Sequence, residues 1–216
     1  MNAAAAPNKG SKPDAEFYLL DWDFYLRYPD LYMEGLRSYA KKGVPEAQHL
    51  LGYHYYFGEG IHRNYKEARK WIKRAADQGL AYSQHAMSGF YREGLGVRKN
   101  ARTAGRWQQK ALQQNCPFAQ HYMGHLYWEG VEVPKNLKKA LKWNKLAADQ
   151  GLPEAQFAMA LHYLHGQGVR TNNKTAVGWL RKSARQGNAE ALGHLRPNDT
   201  VCVNAIHALV CHYICH

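Results

Sequence analysis

Apolar residues in this chain fall into short runs of helical periodicity, two runs to a set, and the set is written four times: residues 43–78, 79–114, 115–150 and 151–186. Nothing is inserted or deleted between copies, so the period is a constant 36 residues. A fixed period of that size with two helical runs per copy marks an α-solenoid, in which a unit buries its apolar faces only by stacking on its neighbours. The pattern therefore predicts an all-α fold, an α-α superhelix of four complete helix-pair repeats with divergent caps at both ends. A continuous core without a linker predicts one domain.

The positions that stay fixed between copies have mechanical reasons. Ala47, Ser83, Ala119 and Ala155 are small at one site and Ala68, Ala104, Ala140 and Ala176 at another, which lets paired helices approach closely. Gln48, Gln84, Gln120 and Gln156 follow the first small residue. Tyr55, Tyr91, Tyr127 and Tyr163 and, further on, Trp71, Trp107, Trp143 and Trp179 are expected to plug the space between units. Gly58, Gly94, Gly130 and Gly166 stand where the first helix must end, since glycine takes positive φ without a Cβ penalty. Asn64, Asn100, Asn136 and Asn172 precede the second run as N-caps. Gly43, Gly79, Gly151 and Gly187 suit Schellman ends, and Pro45, Pro117 and Pro153 suit the first turn of the next helix.

This order of Ala-Gln, Tyr, Gly-x-Gly, Asn, Ala, Trp and Gly resembles the Sel-one-like repeat (SLR) family, relatives of the tetratricopeptide repeats, over about residues 35 to 195. The resemblance implies a right-handed superhelix of antiparallel helix pairs that acts as a scaffold or adaptor for other proteins. It implies no catalytic residue. Some proteins with this repeat resemble immunity, or antitoxin-type, proteins that neutralise a secreted effector, which gives an alternative role. Three features depart from the pattern. Asn replaces the usual Asp before each second helix, Thr103 and Thr175 replace a common Lys, and Glu132 stands where Gly60, Gly96 and Gly168 stand. If that last site requires positive φ, Glu132 costs on the order of 1 kcal/mol; otherwise the third loop takes another course.

Outside the repeats the chain changes character. Residues 1–13 are small, polar and Pro-containing, and are expected to be disordered. They lack the basic and apolar segments of a signal peptide, and no apolar run is long enough to span a bilayer. A cytoplasmic location is the expectation, or a periplasmic one if a leader has been removed. Residues 14–42 form an acidic, aromatic-rich N-terminal cap in this reading, and residues 187–216 a partial fifth repeat with a C-terminal cap.

The net charge of +12 has a location. The second runs, residues 64–78, 100–114, 136–150 and 172–186, hold 16 Lys or Arg against 3 Asp or Glu. In a solenoid of this kind they line the convex back. A basic back suits an acidic protein partner, with nucleic acid or an anionic surface as the alternative of another class; nucleic acid ranks lower because the stripe lacks exposed aromatics for base stacking.

The concave face, lined by the first helix of each unit, is where a solenoid usually binds. Candidate partner-binding residues are the positions there that vary between copies: His49, Tyr53, Tyr56, Tyr82, His85, Arg92, Phe118, His121, His125, Trp128, Phe157 and Leu161. Rigid aromatics bring contact area, and Tyr, Trp and His keep a polar handle, so the face suits a protein or peptide.

Enzyme signatures are missing. There is no phosphate-binding loop following a strand, no G-x-S-x-G and no H-E-x-x-H; His121 and His125 are one turn apart but without the intervening Glu. His49, His85 and His121 recur at the spacing of packed helices, about 10 Å, too far to share an ion. Three of the four cysteines, Cys202, Cys211 and Cys215, sit among His207, His212 and His216 in a spacing that matches no standard finger. They read as free thiols in a capping helix, in a reducing compartment. No metal, no cofactor and no catalysis are expected.

Overall fold

The computed structural model describes residues 26–195. Its helices are α1 (Pro29–Lys41), α2 (Pro45–Phe57), α3 (Tyr65–Asp77), α4 (Ala81–Glu93), α5 (Ala101–Gln113), α6 (Pro117–Glu129), α7 (Leu137–Asp149), α8 (Pro153–His165), α9 (Asn173–Ala184) and α10 (Ala189–His194). There is no strand among the described residues. The four repeats are the pairs α2/α3, α4/α5, α6/α7 and α8/α9, so the all-α, helix-pair solenoid class read from the pattern is the fold observed. The helices gather into two compact units divided between Ala111 and Leu112, inside α5. The expected disordered N-terminus and the Cys/His-rich C-terminal cap lie outside the described residues.

The sequence signals act locally as chemistry requires. Each repeat Asn caps its second helix: Asn64 Oδ1 accepts from the N–H groups of Lys66 and Glu67 (3.0 and 3.2 Å), Asn100 from Thr103 (2.9 Å), Asn136 from Lys139 (2.9 Å) and Asn172 from Thr175 (3.0 Å). An amide oxygen serves here as well as the usual carboxylate would. The same four Asn donate their backbone N–H to the carbonyls of Tyr55, Tyr91, Tyr127 and Tyr163 at 2.8–2.9 Å, which closes each intra-repeat loop. Gly43, Gly79 and Gly151 take φ of 96°, 99° and 95° at the second-helix ends, and the N–H groups of Val44, Leu80 and Leu152 reach back to Tyr39, Ala75 and Ala147 in Schellman fashion. Asn115 fills that place in the third copy with φ 56°, which Asn tolerates better than other side chains.

Packing explains the small residues. Ala47, Ser83, Ala119 and Ala155 are wholly buried, as are Ala68, Ala140 and Ala176. In the first unit Leu36, Leu51 and Trp71 join one cluster and Ile72, Met87 and Phe90 another; in the second unit Met159 and Leu180 head the two clusters. The fixed glutamines are cross-braces. Gln48, Gln84 and Gln156 donate to the carbonyls of Ala40, Ala76 and Ala148, at 3.1, 3.3 and 3.3 Å, near the C-terminus of the preceding helix. Gln78, Gln150 and Gln186 then donate to the side-chain oxygens of Gln48, Gln120 and Gln156 at 2.8, 2.7 and 2.9 Å. The tryptophans are not equivalent: Trp71 is buried, whereas Trp107, Trp143 and Trp179 are half-buried. Arg74, Lys110 and Lys182 lie over the rings of Trp71, Trp107 and Trp179 at 4.5, 4.6 and 4.2 Å, so part of the basic surplus covers aromatic faces.

The third loop does take another course. Gly96 (φ 62°) and Gly168 (φ 77°) lie so close to the backbone at Tyr65–Lys66 and Leu137–Lys138 that a Cβ would collide with it. Glu132 does not adopt positive φ, Asn115 being the only non-glycine among the described residues that does, and its carboxylate accepts from the Tyr122 hydroxyl at 3.3 Å. Gly168→Ala is expected to cost about 2–3 kcal/mol, adding backbone displacement to left-handed strain. Gly151→Ala, where a Cβ meets nothing within 4 Å, should show the strain alone. Equal losses for the two variants in urea unfolding would refute the close approach.

Candidate partner-binding surface

In the first unit the variable positions of α2 and α4 form an aromatic band. Tyr53 and Phe57, four residues apart on α2, are exposed, with ring centroids 5.8 Å apart. Tyr56 is half-buried and meets Phe57 and Phe90 edge-on at 4.9 and 5.9 Å. Tyr82 is exposed in the first turn of α4. His49 and His85 are half-buried in helix joints: His49 Nδ1 lies 2.7 Å from Ser83 Oγ and His85 Nδ1 2.9 Å from Gln108 Oε1. Burial pushes the His49 pKa down to about 4. Arg92, in the last turn of α4, donates to Ser88 Oγ at 3.4 Å and lies 3.5 Å from the Glu93 carboxylate.

In the second unit Phe118 and Trp128, at the two ends of α6, are exposed. The Trp128 indole N–H donates to Gln167 Oε1 at 3.1 Å, and Lys135 lies 5.7 Å from its ring. His125 is exposed, 3.7 Å from Glu129 and one turn from Trp128. Leu161 is half-buried, and Phe157 packs on His194 of α10 with ring centroids 5.4 Å apart.

His121 opens a buried relay whose proton positions follow by deduction. The backbone oxygen of Gln167 can only accept, so His162 Nδ1 donates to it at 2.7 Å. Nε2 of the neutral ring is then an acceptor and takes the Asn144 Nδ2 proton at 3.1 Å. Asn144 Oδ1 in turn accepts from His121 Nδ1 at 2.9 Å. Gly124 is glycine because a Cβ there would overlap the Asn144 amide. The relay ends at the residue whose side chain holds Trp128, so the exposed indole is tied to the packed interior of its unit. Burial lowers the pKa of both His121 and His162.

The profile of the Sel1 repeat matches residues 45–80, 81–116, 117–152 and 153–188, two-thirds of the chain and in register with the helix pairs. The chain belongs to the Sel1 repeat family. A Sel1 repeat protein from Oxalobacter formigenes is 37% identical over 74% of this chain and 46% of that one, with a TM-score of 0.60, so this chain spans about half the length of that relative. Two Pseudomonas aeruginosa structures described as immunity proteins, Pa5087 and PA5088, share the fold at 21% and 23% identity. Their TM-scores are 0.63 and 0.62, over 83% of this chain and 69% and 68% of theirs. Nothing among curated proteins matches. Sel1 repeat proteins are generally non-enzymatic scaffolds for protein–protein interaction.

Within the Sel1 framework, some surface features escape sequence reading. Phe57 is one of the most exposed aromatics, and only its position between repeat Tyr55 and Gly58 signals it. Asn144 and His162, both buried, escape because their repeat positions are mixed: Ile72, Gln108 and Leu180 stand at the position of Asn144, and His54, Phe90 and Leu126 at that of His162. Among the described residues no helix is long and apolar enough to cross a membrane, and no group of three or more His, Cys, Asp or Glu lies together as a metal site would require.

Proposed function

We propose that this Sel1 repeat chain is a scaffold or adaptor that binds a protein or peptide through the variable face of its first helices. The observation that carries this reading is the exposure of Tyr53, Phe57 and Tyr82 in one unit and of Phe118 and Trp128 in the other, while Trp71 at a fixed position is buried. Large aromatics left in water at variable positions are what a protein interface needs, since such residues dominate interface energetics. The shared fold of Pa5087 and PA5088 supports a narrower version, in which the bound protein is an effector that this chain neutralises.

Affinity capture from lysate of the source cells, nuclease-treated and washed at moderate salt, tests the proposal. One stoichiometric protein is expected, with its affinity reduced at least about tenfold by Trp128→Ala, in the range of an interface hot spot. A secreted effector as that protein selects the immunity role, and a regulatory or envelope component selects the adaptor role. Binding that disappears with nuclease moves the function to the basic second helices and overturns the proposal.

A further inference from the structure

The first unit holds a cleft of about 320 Å³ between α2 and α4, open on one side and walled by Tyr53, Tyr56, Phe57 and Phe90. Its floor is Gly89. The other three repeats carry Tyr53, His125 and Leu161 at that position, so the register accepts large side chains. The two other glycines of the first helices, Gly52 and Gly124, are forced by packing, because a Cβ on either would strike Ile72 or Asn144. Gly89 is not forced, since a Cβ there meets nothing within 4 Å. A mid-helix glycine weakens a helix relative to almost any other residue. What this one leaves is open space in a cleft that four aromatic rings also line.

The polar edge of the cleft is equally specific. Arg92 is the only Lys or Arg in the four first helices, and it lines the cleft beside Glu93. The two are 3.5 Å apart, longer than a good charge-assisted hydrogen bond, and the Glu93 side chain is 57% exposed. Arg92 also donates to Ser88 Oγ, and a carboxylate arriving from outside would compete with Glu93 for the guanidinium. The chain's net charge of +12 attracts acidic partners at long range.

We propose that the cleft over Gly89 is an anchor pocket for one large aromatic or aliphatic side chain of a partner protein, with a carboxylate next to that anchor received by Arg92. This rests on the scaffold reading and names the chemistry of its partner.

The test is a selection of random 12-residue peptides displayed on phage against the intact protein, followed by fluorescence anisotropy of the recovered peptides. Enriched sequences are expected to pair Trp, Phe, Tyr, Leu or Met with an adjacent Asp or Glu. Gly89→Leu, which fills the cleft, should lower their affinity at least tenfold while leaving thermal stability equal to or above that of the parent. Arg92→Gln should abolish the preference for Asp over Lys beside the anchor and keep the dependence on the anchor itself. Peptides that bind Gly89→Leu unchanged, or that enrich Lys and Arg, overturn the inference. So does selection that yields no binder, and so does self-association that Gly89→Leu abolishes, which would give the cleft to a second copy. In those cases the scaffold reading stands or falls separately, on whether Trp128→Ala removes the captured protein.

Discussion

Asn144→Leu is expected to remove about 3–5 kcal/mol of stability, read as a lower urea midpoint for the second unit. Leucine is close to asparagine in size but takes away both an acceptor and a donor. His121 Nδ1–H loses its oxygen and His162 Nε2 loses its donor, and His162 is almost completely buried, so water cannot replace what is lost. A buried polar atom stranded in this way costs about 1–3 kcal/mol. The branched leucine must also fit over Gly124, whose missing Cβ leaves room only for the flat amide, and overpacking adds a further amount of order 1 kcal/mol. Asn144→Asp separates overpacking from polarity: it keeps the shape and the acceptor for His121, but replaces the donor to His162 with a buried carboxylate, so any loss it shows is electrostatic. A loss below about 1 kcal/mol for Asn144→Leu would mean that the relay is not made in solution.

Acid should weaken the protein well before its carboxylates protonate. Burial holds His49 near a pKa of about 4, against 6.5 for the free side chain, and lowers His121 and His162 as well. Below pH 6.5 the unfolded chain binds protons that the folded chain refuses, so stability falls as pH falls through this window and levels off only beneath the folded values. For His49 alone the loss between pH 6.5 and 4 is about 3 kcal/mol, from its shift of roughly two and a half units at 1.36 kcal/mol each. The other two act in the same direction. Protonating His162 would also set its Nε2–H against the Asn144 donor, so acid attacks the relay at its centre. The measurement is the urea midpoint at pH 7.5, 6.0 and 4.5, with His49→Gln as control. The parent should lose stability steadily and the variant more shallowly; parallel profiles would place His49 in water in the folded protein.

Residue spacing reveals local backbone conformation but not contacts between helices. The repeat positions that could be explained from one copy at a time, Asn64 as a cap, Gly58 as a left-handed stop and Pro45 at a first turn, behave as read. These are local: the backbone conformation of a few neighbouring residues settles them, and fourfold repetition separates them from chance. The histidines are different. His49, His85 and His121 recur in the sequence as one column that reads as a binding face, yet each is bonded into a helix joint, to Ser83, Gln108 and Asn144 respectively. Gln108 and Asn144 share one repeat position, but Ile72 and Leu180 fill it in the other copies, and Ser83 stands at the small-residue position, so neither column is polar throughout and neither points to these pairings. Glu132 follows the same logic. Its cost depends on the backbone course of the third loop, which a single residue type does not encode, and the loop spares it positive φ.

The repeat, its register, the helix ends, the small residues at helix crossings and the concentration of basic residues in the second helices are legible along the chain. All of these follow from spacing along one chain and from the conformational limits of Gly, Pro, Asn and Ala. Helix stacking settles which variable side chains are exposed, which close a buried relay, and that Gly89 lines an open cleft while Gly52 and Gly124 relieve a clash. Those outcomes depend on distances between residues 18 to 39 positions apart, such as Asn144 with His162 and Trp128 with Gln167, and a pairing at that range is set by how helices stack rather than by either residue's own preference.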